Sequence, residues 1–202
     1  MSYLSQFHHQ ISGNANGAKL VFLHGVMGFG SNWRRIVKAF EDRYQILTFD
    51  QRGHGRSFHP TYGYAPADYA YDLFEILNEL NWSAITLVGH SMGGRNALEF
   101  ATQHSAMVQR LVIEDIGPGM NQAGSDLILN LIDSVPVPFP SKREAKIFFE
   151  TDFVARFSDR PNVSGLAQFL FMNIIENEYG QGVWRFNESG VRESVRQGRS
   201  QE

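Results

Sequence analysis

The segment Gly89-His90-Ser91-Met92-Gly93 places a serine between two glycines, directly after a short apolar run. The pattern is G-x-S-x-G, which by frequency alone is a weak signal because glycine and serine are common residues. Its position strengthens it, since a strand-like run precedes it and an alanine-rich, helix-like segment follows. A sharp strand-to-helix turn of this kind exposes a serine hydroxyl for nucleophilic attack. We therefore predict that Ser91 is a nucleophile; the alternative is a turn in which this serine only caps the helix.

A second glycine-rich segment, HGVMG at 24–28, ends the first apolar run of the chain. In an enzyme with a serine elbow, one donor to the oxyanion is the amide after the nucleophile, here Met92. The second donor comes from the loop after this strand, and we assign it to Val26, with Met27 as the next choice. A phosphate site is the minor alternative, because the glycine order is G-x-x-G-x-G and no lysine follows.

Four short apolar runs carry these motifs, and each is apolar at consecutive positions. Strands that are buried on both faces of a parallel sheet have this pattern. The runs are KLVFLHG (19–25), YQILTFD (44–50), AITLVGH (84–90) and RLVIEDI (110–116). Between these runs, apolar residues recur at helical spacing over 32–42, 65–80 and 93–104. HHQIS (8–12) is a candidate edge strand. The alternation predicts an α/β fold with a mostly parallel, doubly wound sheet.

The pattern becomes helical and rich in phenylalanine after residues 117–119. Ser141 and Glu144 form a capping box that starts a helix running to about residue 157. Further helices are predicted at 121–135 and 163–178, a short strand at 182–187, and a last helix capped by Asn187. We interpret this part as a helical lid, uninterrupted by any buried strand, and divide the chain into a core, 1–118, and a lid, 119–202.

Composition limits the classes of protein that fit. The 202 residues are 43% hydrophobic and 19% charged, which suits one globular domain. A net charge of -3 without a basic stripe argues against nucleic acid or an anionic membrane as partner. The absence of cysteine excludes disulfides, thiolate metal sites and a cysteine nucleophile. No secretory signal or bilayer-spanning run is present, so we expect a cytoplasmic location.

The segments LVFLHGVMG, FDQRGHGRS, VGHSMGG and LVIEDIGP, in this order, resemble the alpha/beta-hydrolase fold family. They are most similar to its bacterial YbfF-type esterases and the mitochondrial relatives of these, over about residues 17–195. The resemblance implies hydrolysis of carboxylic esters or thioesters through an acyl-enzyme, with no metal or other cofactor. A carbon–carbon bond hydrolase of the same family and a non-catalytic ligand-binding protein remain alternatives, because a fold does not fix a reaction.

The resemblance also assigns the other catalytic residues. Asp115, in Asp-Ile-Gly-Pro, matches the triad acid of those esterases; an aspartate that ties down the lid, or an acid beyond residue 202, is the alternative. In the family, the base is a histidine that follows two further strand–helix units, and none of the seven histidines here has that position. We expect His24, His90 and Met27 to line the substrate pocket, and His24 is a weak candidate for the base.

The chain therefore resembles a hydrolase core with a lid that lacks the C-terminal strands of its family. Two expectations follow. Activity should be low, because a serine without its base keeps the reactivity of an ordinary alcohol. RLVIEDI (110–116) should become an edge strand, whose unpaired backbone groups favour self-association.

Overall fold

A five-stranded sheet is the main feature of the computed structural model, which describes residues 2–116 and 122–198. The strands are β1 (His9–Gly13), β2 (Ala18–Leu23), β3 (Tyr44–Phe49), β4 (Ile85–His90) and β5 (Val108–Glu114). Their order in the sheet is β1-β3-β2-β4-β5, where β1 is antiparallel to β3 and the other neighbours are parallel. The predicted doubly wound, mostly parallel sheet is confirmed, including the edge strand near residues 8–12.

Helices pack on both faces of this sheet, which explains why the strands are apolar at consecutive positions. The helices of this part are α1 (Arg34–Phe40), α2 (Pro66–Glu79) and α3 (Met92–Gln103). Val21 packs with α2 and α3 on one face, in a cluster that includes Leu73 and Phe100. Phe22, the next residue, packs on the opposite face against Trp33, with ring centroids 4.7 Å apart. Side chains alternate between the two faces of a strand, so both faces need apolar residues.

The segment that was predicted to be a lid contains a small sheet as well as helices. Its elements are α4 (Gln122–Asp133), α5 (Lys142–Glu150), α6 (Asp152–Arg156), α7 (Val163–Phe171), β6 (Ile174–Glu176), β7 (Gly182–Trp184) and α8 (Glu188–Gln197). Strands β6 and β7 form an antiparallel pair, in which Ile174 is fully buried. The expectation of a lid without a buried strand was therefore wrong.

Two predicted helix boundaries in the lid also differ from the structure. The helix expected to run to residue 157 breaks at Thr151, whose φ of -120° and ψ of -80° are not helical. The helix expected over 163–178 ends at Phe171, because the following isoleucines pair with β7. Tertiary pairing here overrides the local helical pattern. The predicted caps are confirmed: Ser141 Oγ accepts the Glu144 amide at 3.2 Å, and Asn187 Oδ1 accepts the Gly190 amide at 3.0 Å.

A second apolar core lies mainly in the segment 122–198 and is rich in phenylalanine. Phe139, Phe149 and Phe153 are buried there together with Leu170 and Trp184. These rings therefore stabilise the lid itself. The predicted division between core and lid falls among residues 117–121, outside the described residues, and remains a prediction.

The last helix, α8, packs against the part of the chain that contains the five-stranded sheet. The Asn187 amide donates to the Gly53 carbonyl at 2.8 Å, and a Cβ added to Gly190 would lie 2.0 Å from the Tyr64 ring. These contacts fix the start of α8 on the loops that follow β3. Within residues 2–116 and 122–198, no helix is both long and apolar enough to cross a bilayer.

Candidate functional site

Ser91 occupies the sharp turn between β4 and α3. Its φ of 51° and ψ of -119° lie outside the regions that L-residues normally adopt, and its amide donates to the Glu114 carbonyl at 2.9 Å. The flanking glycines are required by space. A Cβ on Gly89 would lie 2.2 Å from the Gly93 carbonyl oxygen, and one on Gly93 would lie 2.4 Å from the Leu23 carbonyl oxygen. The turn closes this tightly only without side chains at both positions.

Unfavourable backbone geometry is concentrated at the predicted site. Five non-glycine residues of the described ranges have positive φ, and two of them are asparagines, which tolerate that conformation. The other three are Met27 at 58°, Ser91 at 51° and Asp115 at 58°. All three follow strands whose carboxyl ends meet at one edge of the sheet. Such strain persists where the surrounding structure enforces it, and it is frequent at active sites.

Several amides of the loop after β2 already donate hydrogen bonds to other groups of the protein. The Gly28 amide donates to the Gly25 carbonyl at 2.9 Å, Phe29 donates to Asn32 Oδ1 at 2.8 Å, and Gly30 donates to a carboxylate oxygen at 2.7 Å. A phosphate cradle needs these amides free, so the geometry disfavours the nucleotide interpretation.

Two amides near Ser91 remain without an acceptor. Among the residues that the structure describes, neither the Val26 amide nor the Met92 amide has a hydrogen-bond partner. Met92 is the first residue of α3, where the helix dipole favours negative charge. Free donors at these positions suit an oxyanion.

Asp115 and His90 meet beside the serine. The strand register explains why these two residues are close, because His90 is paired across β4 and β5 with Glu114, which directly precedes Asp115. His90 Nε2 lies 3.8 Å from Asp115 Oδ2, which is too far for a hydrogen bond. The Asp115 side chain is 84% exposed, so the carboxylate faces open space rather than a packed interior. Ser91 Oγ has no hydrogen-bond partner within the described part of the chain.

His24 and His54 form a buried pair under the loop after β2. Their ring centroids lie 5.0 Å apart, and both residues are almost completely buried. Burial lowers the pKa of His24 to about 4 and that of His54 to about 3. Both rings are therefore neutral at pH 7. His24 Nδ1 donates to the Gly25 carbonyl at 2.8 Å and Nε2 accepts the Gln51 amide at 2.9 Å, so His24 has no nitrogen free to act as a base.

A cavity of about 300 Å³ opens beside the serine elbow. It brings together some of the predicted site residues: His24, Val26 and His90 line it, along with Trp33 and Ile36. Its size is at the lower end of the range for small-molecule sites. The side chain of Met27, which was expected in the pocket, is instead buried in the lid core.

Sequence reasoning missed several residues that shape this site. Asn32 holds the loop after β2 through the Phe29 amide, and Phe169 of the lid reaches the cavity wall. Gln51 connects His24 to Asn96 of α3, whose Nδ2 donates to Gln51 Oε1 at 2.8 Å. Asn32 could have been found from the sequence, because it is a polar residue at the start of the helix predicted over 32–42. Asn96 gave no such signal, because its role depends on three elements meeting.

Comparisons with known proteins agree with this geometry. A sequence model of the alpha/beta hydrolase fold matches residues 19–186. The sn-1-specific diacylglycerol lipase ABHD11 of Danio rerio is 33% identical over 180 residues, covering 87% of this chain and 55% of the relative. The Mus musculus protein of the same name is 33% identical over 184 residues, covering 88% and 57%. The chain thus spans about half the length of these curated relatives.

Solved structures also resemble this chain. A marine microorganism esterase superposes with a TM-score of 0.83 at 30% identity, covering 96% of this chain and 73% of that chain. The E-2-(acetamidomethylene)succinate hydrolase superposes with a TM-score of 0.79 at 22% identity, which supports the fold alone.

Proposed function

Because the chain belongs to the alpha/beta-hydrolase fold family, we propose that it hydrolyses carboxylic esters or thioesters with Ser91 as the nucleophile. The observation that carries the proposal is the backbone of Ser91, held at a φ of 51° in a turn between a buried strand and a helix. A serine that merely caps a helix needs no such strain. The side chain of a capping serine also accepts an amide of its helix, and no such bond is present at Ser91 within the described residues.

The proposed reaction proceeds through an acyl-enzyme. Ser91 Oγ attacks the acyl carbon, and the amides of Val26 and Met92 bind the oxygen that becomes negative. Asp115 acts as the triad acid that orients an imidazole. In a second step, water hydrolyses the acyl-enzyme while the same two amides bind the negatively charged oxygen.

The substrate class follows from the cavity wall. Trp33, Ile36 and Phe169 present apolar surface beside the polar edge at His90 and Glu114. We propose an ester or thioester with a small apolar acyl group. The names of the relatives that are diacylglycerol lipases indicate that those proteins act on lipids. An apolar acyl group in this cavity agrees with that class of substrate.

A fluorophosphonate probe tests the nucleophile directly. We expect the probe to modify Ser91 slowly, detected by intact mass and peptide mapping, and Ser91→Ala to abolish the modification. Hydrolysis of a short p-nitrophenyl ester should depend on Ser91, because loss of a triad member costs on the order of 10⁴–10⁶ in rate.

A non-catalytic ligand-binding protein is the second candidate. The lack of a partner for Ser91 Oγ within the described residues favours it. Equal probe labelling of the wild type and of Ser91→Ala, together with binding of the ester without turnover, would support this candidate and exclude the hydrolase.

Two further expectations from the sequence belong to the same proposal. We place the protein in the cytoplasm, which fractionation of the source cells tests. We also propose that it self-associates through β5, which is one of the two edge strands of the five-stranded sheet.

A further inference from the structure

The loop after β2 begins with a tight turn over residues 25–28, beside the proposed nucleophile. The Gly28 amide donates to the Gly25 carbonyl at 2.9 Å, which closes the turn, and Met27 at its third position has a φ of 58°. A Cβ built on Gly25 would lie 3.3 Å from Ser91 Cβ, so the turn starts next to the serine side chain. The proposed oxyanion donor, the amide of Val26, belongs to the second residue of this turn.

The surroundings of this turn stabilise it more than its own residues do. A positive φ at the third position is typical of a type II turn, and glycine or asparagine adopts it more readily than methionine. The Met27 side chain is 4% exposed and packs in the second apolar core. His24 Nδ1 lies 2.8 Å from the Gly25 carbonyl oxygen. One contact therefore holds the third residue of the turn, and the other holds the first.

The hydrogen-bond partners of His24 fix which ring nitrogen carries its proton. The Gly25 carbonyl can only accept, so Nδ1 must carry the hydrogen. The Gln51 amide can only donate, and it lies 2.9 Å from Nε2, so Nε2 must keep its lone pair. Burial lowers the pKa of His24 to about 4, so the ring is neutral at pH 7 and holds this single tautomer. A backbone amide that follows β3 therefore determines which edge of the imidazole donates.

The peptide between Gly25 and Val26 connects this hydrogen bond to the oxyanion donor. The peptide is trans and planar, so the Gly25 carbonyl and the Val26 N–H point in opposite directions. The Gly25 oxygen accepts from both His24 Nδ1 and the Gly28 amide, which occupies both of its lone pairs. The Val26 N–H therefore points away from the imidazole, and it has no acceptor among the residues that the structure describes. Val26 also lines the cavity beside the serine elbow.

We propose that His24 is a positioning residue for the reaction at Ser91: its Nδ1–H holds the Gly25 carbonyl and thereby aims the Val26 amide at the oxyanion. This inference rests on the proposed function. A preorganised donor stabilises the transition state because it needs no reorientation when the charge develops. Without the Nδ1 donor, the Gly25 carbonyl keeps only its hydrogen bond from Gly28, and the peptide plane is free to tilt.

Two substitutions of His24 separate its donor from its acceptor. Asparagine carries its amide group on Cγ, the atom to which Nδ1 of histidine is bonded, so its NH₂ group can donate to Gly25. Glutamine carries its amide group one atom further out, near the position of Nε2. His24→Asn therefore keeps the donor to the Gly25 carbonyl, and His24→Gln keeps an acceptor for the Gln51 amide but loses that donor.

The test compares the rates at which a fluorophosphonate modifies Ser91 in these two variants. Phosphonylation places negative charge on the phosphonyl oxygen, which the oxyanion donors would bind. The dependence of the rate on probe concentration separates the binding constant of the probe from the maximal rate constant. His9→Asn, at an exposed position on β1, is the matched control, and Ser91→Ala gives the baseline. Circular dichroism and melting temperature establish that each variant folds.

We expect His24→Gln to lower the maximal rate constant about 100-fold at pH 7, the cost of misplacing a catalytic group by about 1 Å, without weakening probe binding. His24→Asn should recover most of this loss because it keeps the donor. Equal maximal rate constants in the two folded variants, or a change in probe binding alone, would overturn the inference and leave Ser91 as the nucleophile. No labelling of wild-type Ser91 above the Ser91→Ala baseline would overturn the proposed function, and the inference with it.

A measurement on the wild type tests the same inference without any substitution at His24. Long-range proton–nitrogen NMR correlations, with the histidine signals assigned from the backbone, report which ring nitrogen carries the proton. We expect the Nδ1–H form of His24 at pH 7. The Nε2–H form would overturn the inference, because Nδ1 could then not donate to the Gly25 carbonyl.

Discussion

At the scale of single residues, the site depends on a few side chains that are held in unfavourable states. Ser91 and Asp115 carry backbone strain, and His24 and His54 are buried without charge. The His54 Nε2 atom is buried and has no partner among the described residues, so protonation there would create an unpaired charge. The pair lies directly under the loop that supplies the proposed oxyanion donor Val26, and its protonation state therefore bears on the stability of the site.

This pair predicts a loss of stability in acid. The folded-state pKa values of His24 and His54, about 4 and about 3, lie below the ordinary value of 6.5. The unfolded chain therefore binds more protons, and stability is lost as the pH falls from 6.5 toward 4. At pH 5 the loss is about 2 kcal/mol for each histidine.

His54→Asn tests this, because asparagine keeps a donor near the Arg52 carbonyl and does not titrate. In urea unfolding, the free energy of unfolding that is lost between pH 7 and pH 5 should be about 2 kcal/mol smaller in His54→Asn than in the wild type. His9→Asn is the control for a histidine substitution at the surface. The same difference between the two pH values in wild type and His54→Asn would contradict the prediction.

At the scale of elements, the close approach of α3 to β2 holds the nucleophile in place. A Cβ on Gly93 would lie 2.4 Å from the Leu23 carbonyl oxygen and 2.6 Å from that of His24. These atoms belong to the backbone at the end of a central strand, so they cannot move aside as a flexible side chain would. The glycine thus sets the distance between the serine turn and the loop after β2.

Gly93→Ala should therefore lower the free energy of unfolding by at least about 3 kcal/mol, the upper range for overpacking in a core. Gly180→Ala is the comparison. Gly180 has a φ of 76° but nothing within 4 Å of an added Cβ, so its cost is the backbone conformation alone, about 1 to 2 kcal/mol. Urea denaturation measures both. A Gly93→Ala loss no larger than that of Gly180→Ala would show that α3 can shift away from β2.

At the scale of the whole molecule, one side of the sheet carries an uncovered apolar surface. Val112 of β5 is 49% exposed, and a groove of about 630 Å³ extends from it across Val88 and Phe22 to α1. Arg110, Val112 and Glu114 are exposed at alternate positions of β5. If two copies pair antiparallel about Val112, each Arg110 lies opposite Glu114 of the other copy. Opposite charges across strands stabilise such pairs by about 0.2 to 1 kcal/mol each.

We expect the protein to dimerise at micromolar concentration through this strand. Arg110→Glu should shift the equilibrium toward monomer, because like charges then face each other, and the double variant Arg110→Glu/Glu114→Arg should restore the dimer. Sedimentation velocity measures all three. A monomeric wild type, or a dimer that Arg110→Glu leaves unchanged, would exclude pairing in this register.

The sequence determined the sheet, the elbow and the composition of the site. Consecutive apolar runs predicted the strands because both faces of a parallel sheet are buried, and G-x-S-x-G predicted the turn because glycines are needed wherever backbones touch. These signals are local, so each is complete within a few residues. The helical pattern of the lid was less informative, since β6 forms only through its pairing with β7.

Only the tertiary structure decided how the groups of the site meet. His90 and Asp115 lie at the ends of separate strands in the sequence, yet the pairing of those strands brings their side chains to 3.8 Å. The neutral state of His24 and the role of Gln51 likewise depend on segments that are far apart in the chain. Desolvation, contact distances and competition for hydrogen bonds arise from the packing of several elements at once, and no spacing along one strand or helix contains them.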